Sequence, residues 1–96
     1  MIAFRAKSLY KNLLQGAIKR TEDKTLRDGL LISVGAQIRR LRKRKQLSQI
    51  ALSAKSGIDR TYLSDIENGK RNITLLTLNN LAKALDVPVE LLISSP

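Results

Sequence analysis

The 96-residue sequence has no cysteine, no histidine and no tryptophan, one phenylalanine and two prolines. Without cysteine it forms no disulfide and offers no thiolate, which suits a reducing cytoplasm. With histidine also missing, no set of side chains stands at metal-ligand spacing. Asp65 and Glu67, two residues apart on a helix, point to different faces and cannot share an ion. Neither enzymatic activity nor a cofactor or metal is expected. No apolar run approaches the roughly 20 residues of a membrane span. The opening MIAFRAKSLYK meets charge too early for the apolar segment of a secretory signal. An amphipathic pattern over Phe4–Lys19 invites a membrane-surface reading, but a single phenylalanine and no tryptophan disfavour it. The expectation is a soluble cytoplasmic protein without membrane partners.

What is abundant is positive charge. Eighteen Lys and Arg against eight Asp and Glu give a formal net charge of +10, a surface that attracts polyanions. A chain of this length makes one domain with a modest core.

The most informative stretch is QIALSAKSGIDRTYLSDIENGK, from Gln49 to Lys70. Ser48 is a suitable N-cap for a helix over about 49–55 with Leu52 facing a core, and Gly57 allows a sharp or left-handed turn. Asp59 then caps a second helix, about 59–67, whose apolar members are Leu63 and Ile66 with Tyr62 at the edge. Arg60, Thr61, Ser64, Asp65 and Asn68 fall on one face of it. A helix buried on one side and carrying these side chains on the other suits insertion into a major groove of DNA. The spacing predicts a helix-turn-helix.

Two blocks organise the rest, an N-terminal extension over 1–32 and a helix-turn-helix domain over 33–96. In the first, Leu9, Leu13 and Ala17 form an apolar stripe flanked by Tyr10, Leu14 and Ile18. A polar break at Thr21–Thr25 and a short apolar piece, Leu26–Ile32, follow. The second reads as five helices, the first capped by Ser33 and carrying Val34, Ile38 and Leu41. Thr74 caps the fourth, with Leu75, Leu78, Ala82 and Leu85 as its stripe, and Pro88 opens a short last helix through Leu92.

Residues from about Val34 to Leu92 resemble the phage Cro/repressor-type helix-turn-helix family, and within it the controller proteins of restriction–modification systems. The resemblance is carried by Ile38-Arg39-x-Leu41-Arg42, Leu47-Ser48-Gln49, Ser56-Gly57-Ile58 and, above all, Arg60 through Asn72 (RTYLSDIENGKRN). It implies an all-α, five-helix lambda-repressor-like domain. It also implies a homodimeric regulator binding palindromic half-sites on a double-stranded DNA operator, and leaves RNA polymerase open as a further partner. It pairs Arg42 with Glu67 in an internal salt bridge. The departures are Ser53 where alanine is usual, Ile50-Ala51 where polar residues are common, and an extension with no counterpart in the short controllers. A phage repressor, or an antitoxin-type autoregulator whose N-terminal helix docks a protein, is the alternative.

Several side chains carry the expected recognition. Gln49, at the start of the first motif helix, can meet a phosphate. Arg60 is placed for bidentate pairing with guanine, against a salt bridge to Asp59 or Asp65 or a phosphate contact. Thr61 and Ser64 are short enough to touch base edges or merely permit close approach. Asp65, repelled by phosphate, is expected to hold Arg60 unless it accepts from a cytosine amine. Lys70, Arg71 and Asn72, past Gly69, lie where a duplex backbone would pass. Gly69-Lys70 is no nucleotide-binding P-loop, because Ser64 and Arg71 stand where glycine and Ser/Thr are required. Of the basic run Arg39–Lys45, all but Arg42 read as a solvated, attractive field. Leu76, Val87, Val89, Leu92 and Ile93 exceed what so small a core uses, so a dimer interface is expected there. The extension, with a net charge of +4 over residues 1–32, is expected to dock on that interface and to approach flanking DNA.

Overall fold

The computed structural model describes residues 24–93, and these form five helices without a strand. They are α1 (Lys24–Arg44), α2 (Gln49–Ser56), α3 (Arg60–Glu67), α4 (Leu75–Leu85) and α5 (Glu90–Ile93). The expected helix over Phe4–Lys19 lies outside the described residues.

The largest departure from the sequence reading is α1. Its 21 residues run without interruption from the polar stretch through Ser33, so Ser33 is a mid-helix residue and not a cap, and residue 32 is not a helix boundary. Nothing between Thr25 and Ser33 forbids helix. There is no proline, Gly29 costs only about 1 kcal/mol relative to alanine, and Lys24 pairs with Asp28 one turn on. Arg42, Lys43 and Arg44 in the last turn suit the negative end of the helix dipole.

The helix ends are written in local chemistry. Ser48 Oγ accepts the Ala51 N–H, Asp59 Oδ2 accepts those of Thr61 and Tyr62, and Thr74 Oγ1 accepts that of Thr77. The αL position that closes a helix is taken by Gln46 after α1, Gly57 after α2, Gly69 after α3 and Asp86 after α4. At Gln46, Gly69 and Asp86 the next residue's N–H reaches back five residues, to Arg42, Asp65 and Ala82. That is the Schellman pattern, and it satisfies carbonyls the helix leaves open.

The core joins Val34, Ile38 and Leu41 of α1 to Leu52, Ile58, Leu63, Ile66, Leu78, Leu81, Ala82, Leu85 and Leu92. The expected α4 stripe is corrected at its start: Leu75, at the first helical position, is 84% exposed, and Leu81 takes the buried place. The expected interface cluster is corrected at Leu92. Leu92 is fully buried in the chain's own core, and Val87 and Val89 are half-buried against it. The short α5 brings Leu92 inward, and Gln37 Nε2 clasps it to α1 by donating to the Leu91 carbonyl at 2.9 Å. Leu76 and Ile93 do stay exposed, at 71% and 50%.

Two glycines of α1 have opposite surroundings. A Cβ at Gly35 would lie 2.1 Å from the Ile66 carbonyl oxygen and 2.9 Å from that of Glu67, so α1 crosses the end of α3 at backbone contact. A Cβ at Gly29 would meet nothing within 4 Å. Gly35→Ala is therefore expected to destabilise the fold by about 1–3 kcal/mol or more, because a backbone neighbour cannot yield. Gly29→Ala should stabilise it by about 0.5–1 kcal/mol. Chemical denaturation of the two variants checks the pair; a loss at both positions, or at neither, contradicts the crossing geometry.

Candidate nucleic-acid interface

The two motif helices are joined by a three-residue turn that holds itself together. Gly57 takes a φ of 73°, its N–H donates to the Ser53 carbonyl, and Ser53 Oγ donates to the Ile58 carbonyl. The serine found where alanine is usual thus bonds across the turn. Asp59 spends its carboxylate on the first N–H groups of α3, and Ile58 turns into the core.

Behind α3 lies a buried polar network. Arg42 Nε donates to Glu67 Oε2 at 2.7 Å and Nη2 to Oε1 at 3.0 Å, while Nη1 reaches the Leu47 carbonyl at 2.9 Å. The Arg42 and Glu67 side chains are 10% and 2% exposed, so this is a bidentate pair largely out of water. Gln49 Nε2 donates to Glu67 Oε1 at 3.1 Å. Gln49 is half-buried at the start of α2, and this bond ties its amide nitrogen to the same carboxylate as Arg42.

In front, the polar face is open. Arg60 and Thr61 are exposed at the beginning of α3, and Arg60 makes no hydrogen bond or ion pair among the described residues. Ser64 is half-buried, and its carbonyl accepts from Asn68 Nδ2. Asp65 is corrected. Its partner is Arg71, with Arg71 Nε donating to Asp65 Oδ2 at 3.2 Å, and not Arg60. Geometry explains the exchange. The left-handed Gly69 folds the chain back past the end of α3, which brings Arg71 to Asp65, while Arg60 at the first position has solvent around it. The Arg71 guanidinium also sits over the Tyr62 ring, 5.4 Å from its centroid, and the Tyr62 hydroxyl donates to the Asn72 carbonyl. Lys70, Arg71 and Asn72 are all exposed beside this face. In the basic run, Arg39, Arg40, Lys43, Arg44 and Lys45 are exposed and Arg42 alone is buried.

Sequence reasoning missed the roles of Tyr62, Gln37 and Gly35. Only the last left a signal, a lone glycine inside an apolar helical repeat, which marks close backbone approach. A Cβ at Gly69 would lie 2.7 Å from Ile32 Cγ1 and 2.9 Å from its Cα, so α1 also passes close to the turn after α3.

Residues 38–92 match the model of a family described as helix-turn-helix. The control protein C.MunI of a Mycoplasma species is 42% identical over 64 residues, which is 66% of this chain and 86% of that one. Among solved structures, the restriction–modification controller protein C.AhdI of Aeromonas hydrophila is 42% identical with a TM-score of 0.64, covering 65% of this chain and 94% of its own. The controller C.Esp1396I, solved as a tetramer with its natural 35 base-pair operator, is 41% identical with a TM-score of 0.59, over 62% and 78% of the two chains.

The buried network makes a test of its own. Arg42→Met or Glu67→Leu alone strands a charge and is expected to lower stability by about 3–5 kcal/mol. The double replacement should regain a large part of that, as read from denaturant unfolding. Losses that simply add would show that the two side chains do not act as a pair.

Proposed function

The chain belongs to the helix-turn-helix family, and on that premise we propose that it is a sequence-specific DNA-binding transcriptional regulator, the controller of a restriction–modification operon. The observation that carries this is the open face of α3. Arg60, Thr61 and Ser64 stand together on a helix whose other side is fixed in the core, and Arg60 has no partner among the described residues.

In this reading α3 enters the major groove with its first turn foremost. Arg60 pairs bidentately with a guanine, and Thr61 and Ser64, being short, let the helix approach and touch neighbouring edges. The Gln49 backbone N–H, at the positive end of α2, and the side chains of Lys70, Arg71 and Asn72 meet phosphates on either side. The exposed cations of α1 and the net charge of +10 supply the long-range attraction. The likeness to C.MunI and the two controllers supports the operon assignment.

A homodimer is part of this reading, and exposed apolar surface supports it. Leu76 and Ile93, with Leu75 added, present large side chains to water, whereas Leu92, Val87 and Val89 serve the chain's own core. Two-fold pairing would set two copies of α3 about 34 Å apart, one turn of duplex.

Arg60→Ala is expected to weaken specific binding by about 1–3 kcal/mol and to relax preference at one base pair. Lys70→Ala should weaken all sequences alike and reduce the salt dependence by about one unit. Titrations against a matched set of duplexes measure both; intact discrimination in Arg60→Ala would remove the recognition-helix assignment. For the dimer, Leu76→Ala should lower self-association in sedimentation while leaving the protomer folded. Leu92→Ala should instead cost about 2–5 kcal/mol of folding stability. Equal effects of the two would contradict the division between interface and core.

A further inference from the structure

Asp65 puts a negative charge on the face that the proposed function lays against a polyanion. Electrostatics alone would make it a liability. Its surroundings give it a use. Arg71 Nε donates to Asp65 Oδ2 at 3.2 Å, the guanidinium lies over the Tyr62 ring, and the Tyr62 hydroxyl binds the Asn72 carbonyl next door. The loop enters this arrangement through Gly69, whose positive φ and whose Schellman bond from the Lys70 N–H to the Asp65 carbonyl fix where Arg71 leaves the backbone. The guanidinium is thus gripped at one edge by a carboxylate and on one face by a ring. Its two terminal nitrogens have no partner among the described residues, and the side chain is 57% exposed.

We propose that Asp65 is a positioning residue: it holds Arg71 side-on against Tyr62 so that the terminal nitrogens present a ready-made fork to a backbone phosphate of the duplex. This rests on the DNA-binding reading above and adds a role that Asp65 lacks there. A free arginine must surrender rotamer freedom when it binds, and one already clamped does not. A planar fork with both terminal nitrogens unspent matches two phosphate oxygens. The same bond neutralises Asp65, so the acid no longer opposes the approach of DNA. Phosphate is favoured over a base edge because Arg71 lies beyond the C-terminal end of α3, whereas bases are read from the first turn of such a helix.

The sign of one substitution tests the proposal. Asp65→Asn keeps the shape and removes a negative charge from the DNA-facing side. If Asp65 only repels phosphate, the variant binds more tightly. If it positions Arg71, the variant binds about two- to tenfold more weakly, the penalty of ordering one long side chain on binding. The probes are a duplex selected by the full-length wild-type protein from a random-sequence pool and a scrambled duplex of equal length. The loss is expected on both, and it should vanish in an Arg71→Ala background, where Asp65 has nothing to hold. Equal or tighter binding by Asp65→Asn overturns the proposal, as does a loss that persists without Arg71, which would mark general damage to the loop. A loss confined to the selected duplex overturns the phosphate assignment. Wild-type protein that fails to distinguish the two duplexes would instead remove the DNA-reading function itself, so the two failures are separable.

Discussion

One buried carboxylate ties three helices of this domain together. Glu67 sits in the last turn of α3, where the helix dipole is negative and a second negative charge is unwelcome. Removal from water makes it more costly still. Three donors meet it there, two from the Arg42 guanidinium and one from the Gln49 amide, so that α1, the start of α2 and the end of α3 converge on a single side chain. Close approach is the condition for this, and Gly35 provides it by letting the α1 backbone rest on the Ile66 and Glu67 carbonyls. A side chain at that position would push α3 outward.

Fixing the back of α3 leaves its front free for other work. The three acids of the motif are each occupied: Asp59 on the N-terminal amides of α3, Asp65 on Arg71, Glu67 on Arg42 and Gln49. None is left to capture Arg60, which in the proposed function reads a base. In a chain with a net charge of +10, committing the local acids to internal bonds leaves the positive charge on the outer face of α3 uncompensated, which suits the polyanion of the proposed function. Stability and recognition here are two sides of the same allocation of charges.

Much of this was legible in the sequence because it is local. The caps at Ser48, Asp59 and Thr74 and the left-handed turns at Gly57 and Gly69 follow from side-chain chemistry within a few residues, and the structure has them. The Arg42–Glu67 pair spans 25 residues and was reached through the family resemblance, since nothing in spacing alone joins two helices. What escaped was tertiary. Ser33 looks like a cap until the residues before it are seen to continue the helix. Leu75 and Leu92 are equally apolar in the sequence, and only packing tells that the first faces water and the second the core. Asp65 lay within reach of Arg60 on the same helix, but the fold-back at Gly69 delivered Arg71 to it from beyond the helix end.

In the proposed function a core-anchored α3 reads DNA sequence through its outer face, two copies at a time. Selection of binding sites by the full chain from a random-sequence duplex pool is the test. Enrichment of two inverted half-sites with centres about 34 Å apart, one duplex turn, is expected, each with a strongly preferred G·C pair facing Arg60. Recovery of a pool with no enriched sequence, bound only in a salt-dependent way, would contradict it.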